Sequence, residues 1–221
     1  MGVDNRDAGQ SDESPIEQYS IRDMADDITS VLMALGCGPV HMLGYSMGGM
    51  IAQELALGYP KMIKSLTPCY TDAGRSATVR AWLKSLQIMR PRCDLRSFWQ
   101  TLIPWCFGEA FLSQPGAQES VLDGVEANRR PQSSEAFIRQ CGAIFTHDTM
   151  DRLSNISAPT HVIAGAEDIA HPARSAKVLA ERIPGAELTI VPNVGHALCW
   201  EDPIRFNEAV LSFIARHSVA A

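Results

Sequence analysis

The stretch Val40-His41-Met42-Leu43-Gly44-Tyr45-Ser46-Met47-Gly48-Gly49, with Ile51 to Leu57 after it, decides the fold. Val40 to Leu43 is an apolar run of strand length, and Ile51 to Leu57 has helical character. Gly44-x-Ser46-x-Gly48 joins the two. A serine on so sharp a turn is held in a strained backbone conformation, and the flanking glycines let strand and helix approach without a Cβ clash. Its hydroxyl then stands at the carboxyl end of a sheet, over a helix N-terminus whose N–H groups favour an anion. The pattern predicts a nucleophilic Ser46 on an elbow, with the backbone N–H of Met47 as an oxyanion donor.

A serine needs a base, and the base needs an orienting acid. Toward the C-terminus, Thr160 to Gly165 reads as a strand that runs into Ala166-Glu167-Asp168. Glu187 to Val191 reads as another, followed by the loop Pro192-Asn193-Val194-Gly195-His196-Ala197. Residues just past the ends of parallel strands converge on one edge of the sheet, so Asp168 and His196 are expected beside Ser46. Glu167 is the rival acid. His171 precedes Pro172 and the start of a helix, which points to a turn or cap role. His41 and His161 lie within strands and read as packing residues. Nothing around His147 or His217 points to chemistry.

With these residues in place, the chain resembles the α/β-hydrolase superfamily along nearly its whole length. Within it, the chain resembles the branch of small capped esterases, 3-oxoadipate enol-lactonases and cofactor-free haloperoxidases. Asp4-Asn5-Arg6-Asp7-Ala8-Gly9-Gln10-Ser11 resembles the family's Asp-x-Arg-Gly-x-Gly-x-Ser turn, with Asp7 a small departure. Gly165 to Pro172, Gly195-His196 and Glu201-Asp202-Pro203 resemble its acid loop, histidine loop and last helix. The resemblance implies acyl transfer through an acyl-serine, with no metal and no organic cofactor. A serine rather than an aspartate at position 46 argues against the related dehalogenases and epoxide hydrolases.

Such proteins carry further strands ahead of the Asp-x-Arg turn, and the loop after the third supplies a second oxyanion N–H from a His-Gly motif. In this sequence Met1-Gly2-Val3 stands there instead. The expectation is a misplaced start, a natural truncation, or another chain filling the gap. The Ser46 strand, whose apolar run suits a central strand buried on both faces, is then left with an unpaired edge. Self-association through that edge is expected unless residues 1–12 cover it. A missing oxyanion donor lowers turnover by about 100- to 1,000-fold.

The rest of the chain suits one α/β domain. It has 221 residues, 46% hydrophobic and 20% charged, with a net charge of −6. That balance gives no basis for nucleic-acid binding. No apolar run reaches the roughly 18 residues of a membrane span, and the polar start is not a signal peptide. The six cysteines, at 37, 69, 93, 106, 141 and 199, have neither metal nor CxxC spacing and read as reduced thiols of a cytoplasmic protein. Ser20 opens a helix with Ile21, Met24, Ala25, Ile28, Val31, Leu32 and Leu35 on one face. Residues 73–149 are helical in pattern, interrupted by prolines, and hold Trp82, Trp99 and Trp105. They read as a helical cap inserted into a core of residues 1–72 and 150–221.

These features predict an α/β-hydrolase fold: a mostly parallel sheet with helices on both faces, a helical cap, and a truncated N-terminus. The expected activity is hydrolysis of a small carboxylic ester by Ser46, His196 and Asp168. A lactonase is the first alternative, and a cation in the pocket for a substrate carboxylate distinguishes it; Arg75, Arg80 and Arg139 are candidates. A hydrolase-fold binding protein, impaired by the missing segment, is the alternative of another class.

Overall fold

The computed structural model describes residues 1–218. Four parallel strands lie in the order β1 (Val40–Tyr45), β2 (Ile63–Cys69), β3 (His161–Gly165) and β4 (Glu187–Val191). Parallel neighbours need crossovers, and helices supply them. β1 leads through α2 (Met47–Gly58) to β2, and β3 through α8 (Ala173–Arg182) to β4. α1 (Ile21–Ala34) precedes the sheet, and α9 (Leu198–Glu201) and α10 (Pro203–Arg216) follow it.

β3 is buried at every residue, and its alternation sorts the core into two faces. Val162 and Ala164 pack with Ile21, Met24 and Leu32 of α1, Met50 and Leu55 of α2, and Ala176 and Leu179 of α8. Ile163 points the other way, into a cluster with Val191 and Val210 of α10. Helices therefore cover both faces. α1 begins with a full capping box: the Ser20 side chain accepts the Asp23 N–H, and the Asp23 carboxylate accepts the Ser20 N–H. Its buried stripe matches the periodic one except that Val31 is only partly buried and that the far end falls away. The helix stops at Ala34, so Leu35 falls off the stripe and is 59% exposed.

β1 has the unpaired edge that the sequence leads one to expect, but not the burial on both faces. It is an edge strand, paired with β2 alone among the described residues, and most of its residues are only partly buried, with Leu43 39% exposed. An apolar run reports what a strand can bury, and its place in the sheet decides what it does bury. Residues 4–14 do not pair with β1. Their turn is tied to α1 and to α7 (Ser134–Thr146): Arg6 makes two hydrogen bonds of 2.6 Å to Asp27, and the buried Asp7 carboxylate accepts from Tyr19, Ser14 and Arg139.

Between β2 and β3 the chain forms α3 (Ala77–Met89), α4 (Leu95–Cys106), α5 (Glu109–Leu112), α6 (Ala117–Glu126) and α7. Three of these helices have side-chain N-caps, from Ser76, Asp94 and Ser133. Their apolar faces meet in a cluster of their own, around Leu83, Leu86, Phe98, Leu102 and Cys141. An antiparallel bridge between Gly74 and Asp148 closes the base of this excursion. Gly74 has φ +87°, and a Cβ there would lie 2.1 Å from the His147 carbonyl oxygen, so the neck requires glycine.

Candidate active site

Ser46 sits at φ 54°, ψ −119°, a conformation an L-residue adopts only at a cost of about 1–3 kcal/mol. The surroundings enforce it. The Ser46 N–H donates to Cys69 O at 2.9 Å, and its carbonyl accepts the Gly49 N–H at 2.9 Å. A Cβ on Gly44 would stand 2.1 Å from Gly48 O, and one on Gly49 would stand 2.6 Å from the Thr71 side chain. Strand and helix are packed too closely for a side chain at position 44, and Thr71, beyond β2, leaves no room for one at position 49. Met47 is the first residue of α2, where the leading N–H groups have no partner within the helix.

His196 and Asp168 come from the loops after β4 and β3. His196 Nδ1 lies 2.8 Å from Asp168 Oδ2, and both are buried. A carboxylate only accepts, so Nδ1 carries the proton and Nε2 is the free basic nitrogen. The His196 loop is held on every side. Its N–H donates to Cys106 O at 2.8 Å, and the Tyr45 hydroxyl donates to its carbonyl. Glu201 accepts from the N–H groups of Gly195, Ala197 and Gly108 at 2.8 to 3.2 Å. Burial pushes the Glu201 carboxyl up, and these donors only partly offset it. The rings of Tyr45 and Tyr70 pack against the imidazole, 5.2 and 5.7 Å away.

Ser46 and His196 both line a cavity of about 1100 Å³ between the strand ends and the helices α3 to α7. No hydrogen bond joins Ser46 Oγ to His196 among the described residues. Such bonds are often long in a free site and shorten when substrate binds. Glu167, the rival acid, is not beside the histidine: its carboxylate accepts the Glu109 N–H at 2.8 Å.

His171 has a larger part than its sequence context indicates. Its main chain does form a turn, the N–H donating to Asp168 Oδ1 at 2.7 Å. Its ring also lines the cavity, stacks on His196 at 5.5 Å, and places Nδ1 3.1 Å from Asp72 Oδ2. Burial alone would raise the Asp72 carboxyl, but His171 and the Gly74 N–H outweigh it and hold the carboxyl below its ordinary range. Asp72 lies beyond β2, 99 residues from His171, and no local pattern links them.

The three arginines named as pocket cations do not line this cavity. Arg75 is exposed and spent on Asp148 and Asp151, each at 2.6 Å. Arg139 is spent on Asp7 at 2.7 Å. Arg80 lies on the exposed face of α3. Arg90, just past α3, is the cation in the cavity wall. The walls are otherwise mostly apolar, with Trp82, Trp99 and Trp200 among them. Among the described residues no cluster of three or more His, Cys, Asp or Glu could hold a metal ion, and no helix is long and apolar enough to cross a membrane.

An alpha/beta hydrolase family model matches residues 2–209. The chain belongs to that family. It is 30% identical, over 99% of its length and 82% of the relative's, to a protein of Variovorax paradoxus provisionally named carbamate hydrolase RutD. A solved alpha/beta hydrolase enzyme from a Medee basin deep-sea metagenome library superposes with TM-score 0.88 at 27% identity, covering 96% of this chain and 78% of that one. Est816, an N-acyl homoserine lactone degrading enzyme, superposes with TM-score 0.79 at 28% identity, covering 95% and 80%. Two of these proteins are thus named for different compounds, a carbamate and an N-acyl homoserine lactone.

Proposed function

We propose that the chain hydrolyses small carboxylic esters through an acyl-serine. The observation that carries this is the strained Ser46 turn opening on the same cavity as the His196–Asp168 pair. Ser46 Oγ attacks the carbonyl carbon as His196 Nε2 takes its proton. The Met47 N–H, at the positive end of α2, stabilises the oxyanion. His196 returns the proton to the leaving alcohol, and water then releases the acid by the same steps. Asp168 holds the imidazole in its tautomer and stabilises the imidazolium. Lactones are the second reading, favoured by the likeness to a lactone-degrading enzyme; a lactone is an ester whose leaving group stays attached.

The test is a fluorophosphonate probe together with turnover of p-nitrophenyl butyrate. Labelling at Ser46 and its loss in Ser46→Ala are expected, with kcat falling by as much as about a millionfold. Retained turnover in purified Ser46→Ala protein removes the assignment. Full folding with neither labelling nor turnover favours a binding protein. The open edge of β1 supports self-association of the 221-residue chain. Size-exclusion chromatography with light scattering checks this, and a monomer at all concentrations counts against it.

A further inference from the structure

Three aromatic rings in the cavity wall are stacked. Phe107 lies nearly parallel to Trp200, with 7° between the planes and 5.9 Å between the centroids, and to Phe111, with 20° and 4.8 Å. Phe107 is buried, Phe111 is half-buried, and Trp200, in α9, is 60% exposed. The mount is firm. The Trp200 backbone N–H donates to Ala197 O at 2.8 Å. The Glu201 carboxylate accepts from Gly108, next to Phe107, and from Gly195 and Ala197, on either side of His196. One carboxylate thus ties the aromatic stack and the catalytic base to each other. Among the described residues no aspartate or glutamate lines the cavity, and apart from the two histidines its one charged side chain is the Arg90 cation.

An indole that stays open at the end of a stack leaves the stack unfinished. A further flat ring completes it, and offset parallel rings gain more than their buried area alone provides. The position of Trp200 says which half of an ester supplies that ring. His196 returns its proton to the leaving alcohol, so the alcohol oxygen comes within hydrogen-bond reach of Nε2. The carbonyl oxygen turns instead to the Met47 N–H on α2. The alcohol half therefore lies toward the His196 loop, and Trp200 stands four residues beyond His196. We propose that Trp200 receives the ring of an aromatic alcohol. The substrates are then esters of arylmethyl-type alcohols, with the ring stacked on the indole. This rests on the ester-hydrolase reading of Ser46 and adds the class of leaving group. An open indole face also attracts quaternary ammonium groups, but a wall with a cation and no carboxylate opposes them. A Trp200 that only shields the His196 loop from water gives no preference for flat rings.

Two measurements separate the readings. The first is kcat/KM for benzyl acetate against cyclohexylmethyl acetate, whose alcohols are alike in size and differ in flatness. The saturated ring is the more hydrophobic, so area burial alone favours it. A preference of about fivefold or more for the benzyl ester, about 1 kcal/mol, is expected. It should vanish in Trp200→Leu and survive in part in Trp200→Phe. As a ratio, it is insensitive to a general loss of active protein. Equal use of the two esters by the wild type, or an undiminished preference in Trp200→Leu, overturns the proposal. Acetylcholine used in preference to both would mark a cation site and overturns it too. Should Trp200→Leu fail to fold, the wild-type ratio and the second measurement decide. That measurement is calorimetric binding of 2-naphthylmethanol and of its fully saturated counterpart to Ser46→Ala protein. Tighter binding of the aromatic alcohol is expected. Equal or weaker binding overturns the proposal even if no ester is turned over, so its failure is distinct from that of the hydrolase reading.

Discussion

Two histidines, each paired with a buried aspartate, line this cavity with their rings 5.5 Å apart, and the two pairs are built differently. Asp168 and His196 come from the ends of adjacent strands, β3 and β4, and the backbone N–H groups of Gly195, His196 and Ala197 are all tied down. Asp72 and His171 come from β2 and β3, and His171 also feeds its main-chain N–H into the first pair's carboxylate. The second pair therefore supports the first through Asp168, while facing the same space. A third histidine, His147, sits where the inserted helices rejoin the core. Its nearest carboxylate, Glu54, is 3.8 Å away, and neither ring nitrogen has a hydrogen bond. Similar groups thus range from a tightly oriented pair to a histidine buried without support. The difference lies in the backbone that presents them.

The sharpest way to break the comparison is to mutate the two aspartates separately. Asp168→Asn removes the acceptor that holds the His196 tautomer, and kcat for p-nitrophenyl butyrate should fall by about 10,000-fold. Asp72→Asn acts on His196 only through His171 and the Asp168 turn, and should cost about 100-fold at most. Equal losses would mean that His171, rather than His196, serves as the base.

What could be read in the sequence follows the same division. Ser46 was legible because strand, turn and helix are contiguous and the glycines mark a close approach. Asp168 and His196 were legible because parallel strands place their ends on one edge, so two distant loops can be put together without knowing any side-chain contact. The periodic face after Ser20 marked α1, Pro172 marked the start of α8, and the resemblance of Glu201-Asp202-Pro203 to the family's last helix marked α10. The failures are non-local. Partial burial of β1 depends on which strands flank it. The partnership of His171 with Asp72 depends on register between β2 and β3. Arg90 rather than Arg75, Arg80 or Arg139 lines the cavity because of how α3, α4 and the segment before α7 pack, and charge alone does not show which arginines carboxylates have already taken.

His147 offers the last and smallest test, one of stability. Its side chain is fully buried, and the charges that face it are Glu54 and Asp148 with Arg152, and Asp72 across the neck. Burial lowers its pKa from the ordinary 6.5 to about 4, the carboxylates only partly opposing. Between those values the unfolded chain binds a proton that the folded chain refuses, so unfolding gains as pH falls. The contribution is complete above about pH 6.5 and is lost progressively toward pH 4. It amounts to about 2–3 kcal/mol between pH 7.5 and 4.5. Urea unfolding of the wild type and of His147→Leu at both pH values isolates it, because the other titrating groups are common to the two proteins. The wild type should lose about 2–3 kcal/mol more than the variant on acidification. The same loss in both would show that His147 finds a partner for its charge at the neck. The contrast between oriented and unsupported histidines would then fail at its weakest member.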